Sequence, residues 1–168
     1  MKDLIMLEII EASSKNSIEH TRELFIEYAD YLGIDLEFQN FDDELKTLPG
    51  DYAPPNGCIL LAFFNKELAG CVALRPYKDK ICEMKRLYVR QMYRGKGIGK
   101  ALSKIIIEKA KNISFNHMRL DTLPYMKEAI TLYLSLGFKE IKPYRYNPFE
   151  DAKFFEIDLR KKSEYFHH

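Results

Sequence analysis

Apolar residues recur along this chain in two rhythms. They form a short strand over Leu4 to Ile10, and after the polar break Ser13 to Asn16 the spacing of Ile18, Phe25, Tyr28 and Leu32 switches to the helical period. Asn16, with Glu19 three residues on, has the form of a helix cap, and Gly33 is a stop signal. From Ile34 to Gly57 the pattern loosens. It leaves room for a short helix around Phe41 to Leu45 and closes on Leu48-Pro49-Gly50 and Ala53-Pro54-Pro55-Asn56-Gly57, which read as loops. Three strands follow, Cys58 to Phe64, Leu68 to Tyr77 and Ile81 to Val89. The turns Asn65-Lys66-Glu67 and Lys78-Asp79-Lys80 are short enough to force an antiparallel meander. A helix over Gly97 to Lys111 carries Ile98, Leu102 and Ile105 on its apolar side, and His117 to Asp121 is a strand. A last helix over Tyr125 to Leu136 presents Ala129, Leu132 and Leu136, and strands Phe138 to Lys142 and Lys153 to Leu159 complete the pattern. No repeat, low-complexity run or linker interrupts it, so residues 1–168 are expected to form one domain.

Composition narrows the classes of function. Apolar residues at 46% and charged residues at 30% of 168 are globular proportions. The charges nearly cancel, 26 basic against 25 acidic, which argues against a general nucleic-acid binder. The longest apolar run, Cys58 to Phe64, is far short of the roughly 20 residues that cross a bilayer. Asp3 and Glu8 interrupt any signal-peptide core, so neither membrane insertion nor export is expected. Cys58, Cys71 and Cys82 are odd in number, lack C-x-x-C spacing and sit among apolar residues. They read as reduced core thiols of a cytoplasmic protein. His20, His117, His167 and His168 have no zinc-like spacing, so no metal site is expected.

The most informative stretch runs from Leu87, Tyr88 and Val89 through Arg94, Gly95, Lys96 and Gly97 to Ile98, Gly99 and Lys100: a strand ends, a loop crosses alternate glycines, and a helix begins. Glycines let a backbone approach a ligand closely, and the first N–H groups of a helix converge on whatever lies beyond its end. A pyrophosphate satisfies those groups and the helix dipole together. The spacing is neither that of a P-loop nor G-x-G-x-x-G, and the turn follows an antiparallel meander rather than opening a βαβ unit.

The spacing that does fit is R-x-x-G-x-G, filled by Arg94, Gly97 and Gly99. Here the sequence resembles the GCN5-related N-acetyltransferase (GNAT) superfamily, and Leu132-Tyr133-Leu134-Ser135-Leu136-Gly137-Phe138 looks like the family's L-Y-x-x-x-G-F helix ending. The resemblance implies an α/β (α+β) fold: a mixed, mostly antiparallel central sheet of about six to seven strands flanked by about four helices. It also implies acetyl-CoA in a V-shaped gap between central strands, the pantetheine along Leu87, Tyr88 and Val89 and the pyrophosphate on the N–H groups from Arg94 to Lys100. An alkylammonium with a pKa of about 10 must lose a proton before its nitrogen attacks a thioester. Glu83, six residues before Val89, matches the position where several family members carry a glutamate base, with pairing to Lys85 or Arg86 as its alternative role. Tyr133 matches the tyrosine that hands a proton to the departing CoA thiolate, with a core position as its alternative. Met126 stands where many relatives have a cofactor-contacting asparagine, and Thr122 is a candidate replacement.

The resemblance thus implies an N-acetyltransferase, using acetyl-CoA and no metal, for a small-molecule amine acceptor. A protein lysine or N-terminal acetyltransferase and a silent acyl-CoA-binding module remain open, as does a homodimer. Charge is distributed in support. Lys78 to Lys111 holds eleven basic and three acidic residues around the site for a polyanion, whereas Asp30 to Asp51 holds seven acidic residues and one basic, a rim that would attract an amine or simply be solvated. Phe38, Phe41, Tyr52, Tyr144 and Tyr146 are candidate aromatic walls.

Overall fold

The computed structural model describes residues 6–37 and 40–160. The elements are β1 (Leu7–Glu11), α1 (Lys15–Leu32), α2 (Phe41–Lys46), β2 (Cys58–Phe64), β3 (Glu67–Lys78), β4 (Ile81–Val89), α3 (Ile98–Ile113), β5 (His117–Thr122), α4 (Lys127–Ser135), β6 (Lys139–Ile141) and β7 (Lys153–Asp158). The expected start of the first strand at Leu4, and also Phe38, His167 and His168, lie outside the described residues. One sheet joins the strands in the order β1-β2-β3-β4-β5-β7-β6, and the pair β4–β5 alone is parallel. This is the expected fold: a mixed, mostly antiparallel sheet flanked by helices.

Both faces of the sheet are covered, so its central strands read as nearly continuous apolar runs. In β2 the side chains alternate between two cores: Cys58, Leu60 and Ala62 pack with Leu102 and Ile106 of α3, while Ile59 and Leu61 pack with Leu24 and Phe25 of α1. Gly33 ends α1 in the left-handed conformation, as the pattern predicts. Its start is one residue pair earlier than expected: Ser14, not Asn16, is the N-cap, accepting from Ser17 N at 3.1 Å. In α3 the core positions are Ile98, Leu102, Ile106 and Ile107. Ile105, expected among them, is exposed, because the helix turns its next buried position one residue later. Among the described residues no helix is long and apolar enough to cross a membrane.

One irregularity positions everything that follows. Cys71 faces Tyr88 but Ala73 faces Lys85, so β4 carries one extra residue opposite Val72, a β-bulge, and Arg86 within it has φ +62°. The strained arginine is held from several sides. Its guanidinium donates to both oxygens of Glu44 at 2.9 and 3.1 Å and lies over the rings of Tyr28 and Phe41. β4 turns away from β5 at this point. Their pairing comprises Ile81 with His117, Cys82 with Met118 and Glu83 with Arg119, and beyond it the strands part.

Gly70, on β3 beside the bulge, fits because it lacks a side chain: a Cβ there would sit 2.6 Å from the Tyr88 carbonyl oxygen. Gly70→Ala should therefore lower stability by about 1–3 kcal/mol, the range of core overpacking, in urea titrations. An unchanged midpoint would mean that β3 and β4 separate freely here.

Candidate active site

The parting strands open a cleft floored by Met84, Lys85, Arg86 and Leu87 of β4 and by Leu120, Asp121 and Thr122 of β5. Tyr28 and Leu32 of α1 wall one side, Met126, Ala129 and Tyr133 another, and Asn147 and Phe149 close it from the loop between β6 and β7. Tyr125 donates from its hydroxyl to the Leu32 carbonyl at 3.3 Å and so ties α1 to the start of α4.

Beyond Glu83 the edge of β4 that faces β5 has no strand partner, which leaves backbone groups for an extended ligand. The strand then runs into the glycine turn. Gly95 and Gly97 have φ +78° and +79°, a conformation that side chains resist, and Gly97 caps α3 without any side-chain hydrogen bond. The first N–H groups of α3 are thus left to a ligand, and an anion fits them. A Cβ built on Gly99 would lie 3.8 Å from both Leu132 of α4 and Val89 of β4, so the two sequence motifs meet here.

The other expected cofactor residues surround this turn. Leu87 lines the cleft, and Tyr88 packs its ring against Tyr28 and Tyr31. The Val89 carbonyl accepts from Arg94 Nε at 2.9 Å, and the Arg94 guanidinium lies 4.4 Å from the Tyr31 ring. Lys96 lies over Phe64, and Ile98 is buried, so only its backbone faces a ligand. Lys100 stands in the first turn of α3.

Tyr133 reaches the cleft, with its ring edge-on to Phe138 at 5.7 Å. Its hydroxyl has no hydrogen-bond partner among the described residues, and burial raises its pKa, so it stays protonated. Met126 and Thr122 also line the cleft.

Glu83 occupies a different setting. It is 1% exposed, lies outside the cleft lining, and faces Arg75 directly across β3 and β4. Arg75 Nε donates to it at 3.1 Å, Arg145 Nη1 to both its oxygens at 2.8 and 3.1 Å, and the Tyr144 hydroxyl at 2.7 Å. Burial alone would raise its pKa, but the charges of Lys85, Arg75 and Arg145 and the Tyr144 hydrogen bond outweigh burial and hold the carboxyl at about 2. Its hydrogen-bonding partners come from β3 and the β6–β7 loop, not from Lys85 or Arg86. Arg86 belongs to Glu44, which Tyr52 also bonds at 2.9 Å.

Sequence reasoning did not single out Lys85, Asp121, Tyr28 or Asn147 as site residues. Lys85 stands 3.7 Å from Asp121, and both side chains are about as buried as core residues. Burial lowers the Lys85 pKa, Asp121 and Glu83 raise it, Arg86 and Arg75 lower it, and the balance falls at about 8. The available signal was charge inside an otherwise apolar strand, Glu83, Lys85 and Arg86 in β4; nothing marked Asn147. Of the aromatic candidates, Phe41 and Tyr52 are core, Tyr144 serves Glu83, and Tyr146 is exposed. Among the described residues no group of three or more His, Cys, Asp or Glu is placed to hold a metal ion.

Glu83→Gln leaves two half-buried arginines short of a charge at a fully buried carboxyl and should cost about 3 kcal/mol at neutral pH in chemical denaturation. Because the folded carboxyl titrates near 2 and the unfolded one near 4.5, the stability it supplies is complete above pH 4.5 and fades as pH falls toward 2, so the two proteins should converge there. Equal stability at pH 7 would refute this anchoring role.

Two comparisons with known proteins give one family, and a third gives the same fold. The family described as "Acetyltransferase (GNAT) family" matches residues 18–138. An uncharacterised N-acetyltransferase of Schizosaccharomyces pombe is 40% identical over 86% of this chain and 90% of its own. The fold is similar to that of a GNAT-family acetyltransferase of Staphylococcus aureus, with a TM-score of 0.77 at 23% identity over 92% of this chain and 100% of that one. It is also similar to a Salmonella typhimurium protein whose structure holds its cofactor acetyl-CoA, with a TM-score of 0.69 at 17% identity over 94% and 96%.

Proposed function

The chain belongs to the GNAT acetyltransferase family, and on that premise we propose that it is an acetyl-CoA-dependent enzyme acetylating the primary amine of a small molecule by direct attack of the nitrogen on the thioester. The observation that carries this reading is the unpaired edge of β4 running into the uncapped start of α3, with the Tyr133 hydroxyl free in the same cleft. Acetyl-CoA supplies an acyl group activated as a thioester. The residues from Arg94 to Lys100 present backbone donors to its pyrophosphate, and the edge of Leu87, Tyr88 and Val89 orients the chain that leads to the thioester.

A protonated Tyr133 suits the donation of a hydrogen bond to a leaving thiolate, because a phenol is a weaker acid than a thiol. For Glu83 we propose anchoring rather than proton abstraction: with its oxygens engaged by two arginines and a tyrosine, it fixes the inner end of the cleft. A small acceptor is favoured because Tyr125 ties α1 to α4 over one side and the Glu44–Arg86 pair ties α2 to β4 over another. One continuous sheet joins the seven described strands, which supports a one-domain enzyme. Three buried, unpaired thiols suit a reducing cytoplasm, and burial pushes the Cys58 thiol up to about 11, away from reactive thiolate.

The test is thiol release from acetyl-CoA over a panel of amines, amino acids and peptides, beside calorimetry with CoA. Release with a small amine supports the reading, whereas tight CoA binding without release from any acceptor leaves a binding module. Tyr133→Phe should slow turnover by about 10²–10⁴-fold, as loss of a general acid does, with CoA affinity nearly unchanged. Full activity in that variant would make Tyr133 a packing residue.

A further inference from the structure

Lys85 and Asp121 each lie two residues beyond the last paired residues of β4 and β5, Glu83 and Arg119, so the parting strands carry them to the cleft floor on the same face. Their side chains are only 4% and 5% exposed, yet at 3.7 Å the contact between them is too long for a hydrogen bond. Asp121 Oδ2 accepts from Asn147 Nδ2 at 3.2 Å, whereas the Lys85 ammonium donates no hydrogen bond among the described residues. Among the described residues Ser103 Oγ is the one fully buried side-chain polar atom without a partner, so the Lys85 Nζ reaches the cleft and presents unfilled donors there, which an anionic ligand group would engage.

The surrounding charge indicates the sign of that ligand. Four cations, Arg75, Lys85, Arg86 and Arg145, face three carboxylates, Glu44, Glu83 and Asp121. Each arginine hydrogen-bonds a carboxylate, Arg75 and Arg145 sharing Glu83, so the cluster keeps one surplus positive charge, and Lys85, in ion contact with Asp121 at 3.7 Å, is its cation without a hydrogen-bonded carboxylate. A diamine would add charge to this surplus. Three residues of the acidic rim do not offset it, because Glu44 is taken by Arg86, and Asp43 and Asp51 line a separate depression beside Tyr52.

Resting on the amine-acetylating reading above, we propose that the acceptor is a free amino acid, its carboxylate received by Lys85 and its ammonium by Asp121. The amino-acid zwitterion, with its opposite charges one carbon apart, matches a lysine and an aspartate that stand close without bonding each other. Asn147 keeps Asp121 oriented, and Lys85 fixes the acceptor by its carboxylate so that the nitrogen lies toward the gap between the strands. Lys85 is in this account a specificity-determining residue.

The experiment compares acetyl transfer to matched pairs that differ in the carboxylate: tyrosine and tyramine, histidine and histamine, lysine and cadaverine. The intact enzyme should favour an amino acid over its decarboxylated partner by about 10–100-fold in kcat/KM, the value of one charge-assisted hydrogen bond. In Lys85→Met that ratio should collapse toward one, chiefly through KM, while Lys85→Arg should keep much of it; CoA titration confirms that each variant is folded. A preference for the decarboxylated partners overturns the proposal and leaves the acetyltransferase reading intact. So does a Lys85→Met variant that lowers kcat equally for both members, because Lys85 would then move a proton. Transfer to no acceptor overturns the acetyltransferase reading itself. The comparison in the intact enzyme decides the matter even if Lys85→Met does not fold.

Discussion

The separation of β4 from β5 after Glu83 and Arg119 is the constraint on which the rest of this molecule depends. Two parallel strands in the middle of a sheet would ordinarily pair along their length, since buried backbone groups without partners are costly. Here an extra residue in β4 and a left-handed Arg86 turn the strand aside, and the cost is borne by the Glu44–Arg86 ion pair and the rings stacked on the guanidinium. The result is a backbone edge left open at the centre of a rigid sheet, leading into a helix whose first donors are also open. A long ligand with an extended arm and an anionic middle satisfies both features at once.

Buried charge keeps this opening in shape. Arg145, Glu83, Arg75, Glu44 and Arg86 form a chain of ion contacts from the β6–β7 loop through β3 and β4 to α2, with Tyr144 and Tyr52 filling remaining acceptor sites. Such a cluster contributes less net stability than its number of contacts suggests, because each charge is desolvated. Its effect is geometric: it ties the β6–β7 loop and α2 to the paired strands β3 and β4. Lys85 and Asp121 form a separate ion contact beside this chain, on the cleft floor.

Much of this was legible in the chain. The boundaries of β2 and β4 follow directly from their apolar runs, and Gly97 marks the turn because its left-handed φ of +79° suits glycine best. Tyr133 was found through its place beside Gly137 and Phe138, and the structure puts it in the cleft. Glu83 shows where such reading stops. A glutamate in a strand can serve as a base or as an ion-pair anchor, and the choice depends on Arg75 across the strand and Arg145 sixty-two residues away. The bulge at Arg86 leaves no sequence signal either, since arginine is not a residue that announces a positive φ. The same limit hid Asn147 and Asp121, whose proximity is made by the sheet order and by a loop without periodic pattern.

On the proposed function, the open edge of β4 and the turn into α3 together hold acetyl-CoA. Amide hydrogen exchange with and without CoA reads this directly, residue by residue. Strong protection is expected, confined to Leu87 through Ala101, with β2 and the β6–β7 hairpin unchanged. Binding of CoA that leaves those amides exchanging at their original rate, or protects another face of the sheet, would contradict it.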